Sequence, residues 1–166
     1  MTVVRLEEPS DIPAIRKVHL ASFAADDEAQ LVESLRGAGH LTVSLVAEID
    51  GAVVGHVAFS PVSGGAGAVG LGLAPLAVLS GWRRHGVGGE LVTRGLERCA
   101  SLGFGWAVVL GDPGFYSRFG FRAGGEFDMT SEYGSGPSFQ VIELERGSLL
   151  VAAGRVRYGP EFTSLG

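Results

Sequence analysis

A basic, glycine-rich stretch at residues 83–88 is the part of this sequence whose residue types point most directly to chemistry. It has the pattern Arg83-x-x-Gly86-x-Gly88 and lies between an apolar run and an amphipathic segment. A helix that begins here offers free backbone N–H groups and the positive end of its dipole. Glycines let a ligand approach that backbone closely. The stretch therefore predicts an anion site suited to phosphate, and the alternative is a tight strand-to-helix turn that binds nothing.

The second candidate for chemistry is Tyr116, which follows an apolar run at residues 106–110. Asp112 is expected to cap a short helix with Pro113 at its first position, and Gly120 is expected to end it. This places Tyr116 close to the end of the preceding strand. On the residues alone, the more ordinary interpretation is a half-buried aromatic ring whose hydroxyl finds a backbone partner.

Hydrophobic periodicity predicts that a helix follows the glycine-rich stretch. The residues that share one face, at spacings of three and four, are Gly88, Leu91, Val92, Gly95, Leu96, Cys99, Leu102 and Gly103. Polar residues fall on the other face, and the final glycine is suited to a left-handed cap. The P-loop and dinucleotide-binding patterns are both absent. A nucleotide-binding domain, which would prefer ATP, therefore fits this turn less well.

Two apolar strands, at residues 69–78 and 106–110, are expected to flank this helix. A strand, a crossover helix and a second strand predict parallel neighbours with a right-handed connection. Pro75 has no N–H to donate to a ladder, so the pairing should break there. Beyond that point a slot would open, and the backbone groups of Leu76 and Val78 would face it without partners.

Two blocks of the sequence together resemble the GNAT superfamily of N-acetyltransferases. The Arg-x-x-Gly-x-Gly stretch, after a strand ending in Leu-Ala-Val, is similar to the loop with which that family binds the pyrophosphate of acetyl-CoA. Residues 108–121 read VVLGDPGFYSRFGF and are similar to the signature of a bacterial subgroup, the YhbS-like predicted acetyltransferases. The two blocks stand in the family's order and spacing. The resemblance covers residues 3–121 well and the tail loosely.

The resemblance implies transfer of an acetyl group from acetyl-CoA to a primary amine of a small molecule or peptide, by direct attack and without a metal. Pantetheine, which carries two amides, would run along the opened strand, with the thioester at the tip of the wedge. The residues expected to bind this cofactor are Leu76, Ala77, Val78, Arg83, Arg84, His85, Gly86, Val87 and Gly88. The Val78 N–H is a candidate oxyanion donor, and Tyr116 aligns with the tyrosine that protonates the leaving thiolate.

The sequence departs from the family pattern at the general base. No acid stands before Pro75, where a glutamate is familiar, although an alkyl ammonium must lose a proton before it attacks. Glu28, His56 or Asp112 could act through water, and the residues do not choose among them. His19 is expected to be an ordinary packed or solvated helix residue. The missing base leaves open a second interpretation, a non-catalytic module that binds or senses acyl-CoA on the same fold.

Composition and length set the frame for these motifs. The chain has 166 residues, of which 46% are hydrophobic, and a formal net charge of −5. These values predict one globular domain over residues 1–166 and argue against nucleic acid as a partner. One cysteine, expected to be a buried hydrophobe, and no membrane-spanning apolar run predict a cytoplasmic protein. The acceptor cannot be read from the sequence, and a homodimer is left open.

The expected fold class is α/β, with a mixed, mostly antiparallel sheet of six or seven strands and about four helices. A splayed wedge is expected between the fourth and fifth strands. Strands are predicted at residues 2–6, 41–49, 52–59, 69–78, 106–110, 121–129 and 139–145, with the segment 147–158 left unassigned. Ser10 is expected to cap the first helix, and residues 26–28 either begin the second helix or form an acidic rim for an amine. Loops are expected at 61–67 and 131–138, the latter with Glu132 and Tyr133 as acceptor-site candidates.

Overall fold

A nine-stranded sheet forms the body of the protein in the computed structural model, which describes residues 1–134 and 136–165. The strands are β1 (Thr2–Leu6), β2 (Val43–Ile49), β3 (Ala52–Ser63), β4 (Val69–Val78), β5 (Trp106–Leu110), β6 (Arg122–Ala123), β7 (Met129–Ser131), β8 (Phe139–Glu143) and β9 (Gly154–Tyr158). The α-helices in this part of the chain are α1 (Ile12–Ser22), α2 (Asp27–Gly37), α3 (Val87–Ser101), α4 (Pro113–Tyr116) and α5 (Ser148–Ala152).

The sheet is mixed, as the sequence predicts. Its main path runs β1-β2-β3-β4-β5-β8-β6, while β9 joins the far end of β3 and pairs in parallel with β7. Along the main path only β4 and β5 are parallel, and α3 is the crossover between them. The expected fold class is confirmed. The described strands outnumber the expected six or seven because residues 121–131 form two short strands and the tail adds β9.

The pairing of β4 changes at Pro75. On one side β4 pairs with β5 only through residues 71–73. On the other side its pairing with β3 continues to Val78 after a register shift. Because proline has no N–H to donate, the ladder is interrupted there. The splayed wedge expected from the sequence is therefore confirmed: β4 runs on beside β3 after β5 has separated from it.

Helices cover both faces of the sheet and bury most of its apolar side chains. On one face, Leu91 and Val92 of α3 pack against Phe59 of β3, and all three side chains are fully buried. On the other face, α1 and α2 bury Ile15 and Val32 against β2. The face predicted for α3 is confirmed over five positions between residues 91 and 99.

The end of α3 agrees with the predicted cap but not with the whole predicted face. Gly103 has a left-handed φ of 93°, and the Phe104 N–H donates to the Cys99 carbonyl at 3.1 Å, as in a Schellman cap. Leu102, predicted to be buried, is 43% exposed. The helix has already ended at Ser101, so this side chain no longer follows the helical period.

The prediction that Ser10 caps the first helix is wrong. Ser10 lies inside a 3-10 turn (Pro9–Asp11), and α1 begins after it at Ile12. Asp11 occupies the N-cap position of α1, but its side chain does not bond to the first turn. Its carboxylate instead accepts the Glu8 N–H at 2.7 Å and a hydrogen bond from Arg5 at 2.7 Å. The arginine comes from β1, so this contact depends on the packing of two elements rather than on a local pattern.

Two predicted boundaries are also wrong. β3 continues through Pro61 to Ser63, where a loop was expected, because β4 and β9 both pair with that end of the strand. Residues 121–129 were expected to form one strand, but they contain β6, a 3-10 turn (Gly124–Phe127) and the start of β7. The turn packs so closely that a Cβ on its first glycine would lie 2.5 Å from the Phe139 ring.

The C-terminal third contains the parts of the chain that the sequence left least defined. The unassigned segment 147–158 forms α5 and β9. In the loop expected at 131–138, Ser131 forms an isolated bridge with Gly134, and residue 135 lies outside the described residues. Over the described ranges, no helix combines the length and the apolar character needed to cross a membrane.

We expect Gly95→Ala to lower the free energy of unfolding by about 1–3 kcal/mol. A Cβ at this position in α3 would lie 2.8 Å from Cζ of Phe59, whose ring is 0% exposed and has little room to move. Chemical denaturation of both proteins measures the difference. Gly37→Ala, which adds a Cβ with nothing within 4 Å, is the matched control. Equal stability of the two variants would contradict the close packing.

Candidate active site

The glycine-rich stretch lies at the start of α3, as predicted. The chain is extended at Arg83 and then passes through left-handed φ values at Arg84 (66°) and Gly86 (79°). Gly86 is the N-cap residue, and its carbonyl accepts the Glu90 N–H at 3.0 Å. The N–H groups of the first turn, which begins at Val87, have no intrahelical acceptors. They form a positively polarised end that favours an anion.

The wedge between β4 and β5 presents backbone groups of β4. The Leu79 N–H donates to the Val54 carbonyl at 2.8 Å, so this antiparallel pair is of the hydrogen-bonded type. Because the two types alternate along a ladder, Ala77 also faces β3, whereas Leu76 and Val78 direct their N–H and C=O groups away from it. These groups point to the side where β5 has already separated.

A cleft of about 560 Å³ lies where the wedge meets the start of α3. Eight of the nine residues predicted to bind the cofactor line it, namely Leu76, Ala77, Val78, Arg83, Arg84, Gly86, Val87 and Gly88. The ninth, His85, lies outside the lining. It is exposed and packs edge-on against Trp82, with ring centroids 5.9 Å apart.

Three arginines make this cleft electropositive. Arg83 Nε donates to the Val78 carbonyl at 3.1 Å, which ties the loop to the end of β4. The Arg118 guanidinium lies 4.7 Å from the Phe115 ring centroid. Arg84 also lines the cleft, and none of the three pairs with a carboxylate in the part of the chain that the structure describes. Their charges add to the helix dipole and favour a polyanionic ligand.

Tyr116 lies at the end of α4, just behind the cleft rather than in its lining. The helix begins as predicted, because Asp112 Oδ1 accepts the Gly114 N–H at 3.0 Å. The tyrosine ring packs edge-to-face against Phe115 and Phe121, at centroid distances of 4.9 and 5.7 Å. Burial raises the pKa of Tyr116 to about 12. The phenol therefore keeps its proton at neutral pH, and its neighbour Phe115 lines the cleft.

The three candidates for a general base have different surroundings. Glu28 lies in the first turn of α2, where a carboxylate complements the helix dipole. This placement favours the helix-start interpretation of residues 26–28 over an acidic rim. Asp112 is the exposed cap of α4, and neither carboxylate lines the cleft. His56 is completely buried in β3.

His56 belongs to a buried chain of polar side chains. Its Nδ1 lies 2.8 Å from Nε2 of His19 in α1, and its Nε2 lies 2.8 Å from Oγ of Ser44 in β2. The Ser44 hydroxyl donates to Glu7, which Arg36 holds by two hydrogen bonds of 2.9 and 3.0 Å. Burial lowers the pKa of His19 to about 4 and that of His56 well below its ordinary value, so both rings are neutral at pH 7.

Sequence reasoning missed several residues of the cleft. Arg118 stands within the block at residues 108–121, and its spacing of three from Phe115 was the available signal. Ser22 and Phe23 form another part of the wall. They come from the end of α1, and no local pattern connects that helix with the glycine-rich stretch. For the same reason, no local pattern indicated that His19 would lie behind these two residues.

No metal site accompanies the cleft among the described residues, which contain no group of three His, Cys, Asp or Glu side chains placed to hold an ion. Cys99 is fully buried in α3, and burial raises the pKa of its thiol to about 12. It is therefore a packing residue, as its position in the sequence predicts.

Glu132 and Tyr133, the acceptor-site candidates, also lie outside the cleft lining. The carboxylate of Glu132 accepts the Tyr158 N–H at 2.7 Å.

Comparison with known proteins agrees with this architecture. Residues 40–123 match the family model described as an acetyltransferase (GNAT) domain. The chain is 41% identical over 163 residues to the uncharacterized N-acetyltransferase YhbS of Escherichia coli K12, with 96% of this chain and 98% of that protein covered. The chain therefore belongs to the GNAT family of N-acetyltransferases.

Two solved structures extend the comparison. The crystal structure of E. coli YhbS in complex with CoA matches with a TM-score of 0.94 and 40% identity, over 99% of this chain and 93% of that one. A GNAT family acetyltransferase from Brucella melitensis, in complex with acetyl-CoA, matches with a TM-score of 0.82 and 38% identity. That match covers 98% of both chains.

Proposed function

We propose that this chain, as one domain, transfers the acetyl group of acetyl-CoA directly to a primary amine of a small molecule or peptide. One arrangement carries the proposal: the opened edge of β4 leads to the N-terminus of α3 within a single cleft. Pantetheine amides can pair with the opened edge of β4, and a diphosphate can bind at the N-terminus of α3. The CoA and acetyl-CoA held by the E. coli and Brucella proteins support the same cosubstrate here.

We assign the cofactor contacts from the geometry of the cleft. The backbone N–H groups at Val87 and Gly88 hold the pyrophosphate, with added charge from Arg83, Arg84 and Arg118. Pantetheine runs along residues 76–78 like an added strand, because their outward backbone groups have lost β5 as a neighbour. His85 lies outside the lining of the cleft and is not among these contacts.

The chemistry that we propose relies on positioning and on two polar groups. The Val78 N–H polarises the thioester carbonyl as an oxyanion donor would. Tyr116 then protonates the departing thiolate. Its raised pKa keeps the proton available. Much of the acceleration comes from holding the amine against the carbonyl carbon.

The competing function is a non-catalytic module that binds or senses acyl-CoA. The half-buried phenol next to the cleft favours the enzyme, because binding alone does not require a proton donor. We place the activity in the cytoplasm on the ground that the single cysteine is buried and unpaired. A homodimer is compatible with the proposal, but no described part of the cleft requires one.

The function is tested with a panel of amines, amino acids and peptides, by following the release of free thiol from acetyl-CoA. We expect acceptor-dependent release for at least one class of primary amine, together with an acetylated product found by mass spectrometry. Tight CoA binding without turnover on any acceptor would favour the sensing module. Preference for ATP over CoA in calorimetry would contradict the cofactor assignment.

We expect Gly88→Val to reduce CoA affinity tenfold or more, which is over about 1.4 kcal/mol. A Cβ at Gly88 meets Phe115 and Val78 only at 3.6 and 3.8 Å, so the fold tolerates it, but the side chain enters the cleft. Gly86 is a poorer choice because its φ of 79° strains any side chain. Calorimetry measures the affinity, with Gly37→Val in α2 as the control. Unchanged affinity would mean that the loop is only a turn.

We expect Tyr116→Phe to lower kcat by roughly a hundredfold and to leave CoA affinity almost unchanged. A free thiol has a pKa of about 8.5, so the thiolate leaves fairly well unaided and the effect should lie at the low end for an acid. Steady-state rates and CoA titration of the same variant measure both quantities. A kcat within a few-fold of wild type, with chemistry rate-limiting, would make Tyr116 a packing residue. Loss of CoA binding together with the rate would assign it to the cofactor pocket.

A further inference from the structure

The buried histidine pair lies immediately behind the wall of the cleft. His19 stands one helical turn before Ser22 and Phe23, which line the cleft, and its ring is stacked on Phe23 with an interplanar angle of 8°. In the sheet, His56 lies directly opposite Ala77, a third residue of the lining. An amine placed to attack a thioester beside Val78 would therefore lie close to this pair.

The carboxylate of Glu7 lies at the far end of the hydrogen-bonded chain of side chains, and it fixes the direction of every hydrogen bond in that chain. Glu7, held by Arg36, can only accept, so Ser44 donates to it and accepts from His56 Nε2–H. The neutral ring then has its lone pair on Nδ1 and accepts from His19 Nε2–H. This leaves a lone pair on His19 Nδ1, a buried atom with no hydrogen-bond partner among the described residues.

We propose that His19 is the general base of the transfer and that His56, Ser44 and Glu7 are positioning residues that pass its proton on. The inference rests on the proposed function. His19 Nδ1 takes one proton from the ammonium through water, because the atom is buried and His19 does not itself line the cleft. The second proton, which the nitrogen loses after it has attacked the carbonyl, replaces the one that Tyr116 gives to the thiolate. The proton on His19 Nε2 moves to His56 Nδ1, the one on His56 Nε2 to Ser44 Oγ, and the hydroxyl proton to Glu7. After the product leaves, the same shifts run in reverse and return the proton to water in the cleft.

The surroundings of the pair fit a transient carrier of a proton. Burial disfavours an imidazolium, so both rings keep their lone pairs at neutral pH and a proton does not remain on either. The charged groups that face the pair are Asp11 before α1, Arg36 of α2 and Glu7 after β1. Glu7 is the carboxylate that the hydrogen-bonded chain reaches, and its side chain is 17% exposed, against 8% for Asp11. A proton that arrives at Glu7 neutralises an existing charge and leaves no buried imidazolium behind.

The first test interrupts the hydrogen-bonded chain at Ser44 without removing the imidazole ring of His19 or His56. We expect Ser44→Ala to lower kcat at pH 7 by about tenfold or more, with CoA affinity unchanged. Ser44→Thr, which keeps the hydroxyl, should restore most of the rate. Ser60→Ala is the matched control. Ser60 is also buried, in β3, but its hydroxyl has no partner among the described residues, so the rate should not change.

The pH profile separates a relay from a structural role. An alkyl ammonium with a pKa of about 10.4 deprotonates in solution near that pH and then needs no base. The reduction in kcat that Ser44→Ala causes should therefore become smaller as the pH approaches 10. A deficit of equal size at every pH, or a folded variant with the wild-type rate at pH 7, would overturn the proposal.

The second test does not depend on finding an acceptor. Nitrogen-15 NMR of the imidazoles should find His19 and His56 both protonated on Nε2 and unprotonated on Nδ1. A proton on His19 Nδ1 would overturn the relay and leave the transferase proposal intact. Conversely, the protein could show the expected tautomers and bind CoA but acetylate no acceptor. That result would contradict the proposed transferase function rather than the arrangement of the histidines.

Discussion

The interruption of the β4–β5 ladder at Pro75 is the constraint on which the rest of the structure depends. Buried backbone groups need hydrogen-bond partners, and an interior strand normally finds them on both sides. Here β4 keeps β3 on one side to Val78 and loses β5 on the other beyond residue 73. The resulting edge lies inside the molecule, where a ligand with amides of its own can complete the pairing. The cleft exists because the sheet is incomplete at this point.

The start of α3 supplies what the opened strand lacks, which is positive charge. The connection from β4 to α3 is short, so the end of the strand and the helix N-terminus must lie close together. Arg83 joins them directly through its bond to the Val78 carbonyl. One covalent segment therefore carries both a polar strand edge and an anion site. A ligand with amides at one end and phosphates at the other matches this order.

The opposite face of the sheet presents a different physical problem. His19, His56 and Ser44 are polar side chains buried among α1, α2 and the central strands. Burying such groups is costly unless each finds a partner, and a hydrogen-bonded chain that ends at an ion pair meets that requirement for all but one nitrogen. The unmatched atom belongs to His19, whose ring stacks on Phe23 of the cleft lining. Ser60 Oγ is also buried without a partner among the described residues, but it belongs to no such chain. The nitrogen therefore has a position that function can explain.

The sequence by itself determined the features that depend on neighbouring residues. The glycine spacing at residues 86–88, the Asp112 cap and the interruption at Pro75 are properties of short segments, because a missing side chain or N–H acts on the adjacent backbone. Helical periodicity likewise located the buried face of α3. Tertiary structure alone decided the rest. It placed Phe23 in the same cleft as the glycine-rich loop, bound the carboxylate of Asp11 to Arg5, and joined His19 to His56. Such contacts bring together residues far apart in the chain, and they form only when helices and strands pack, so no local pattern contains them.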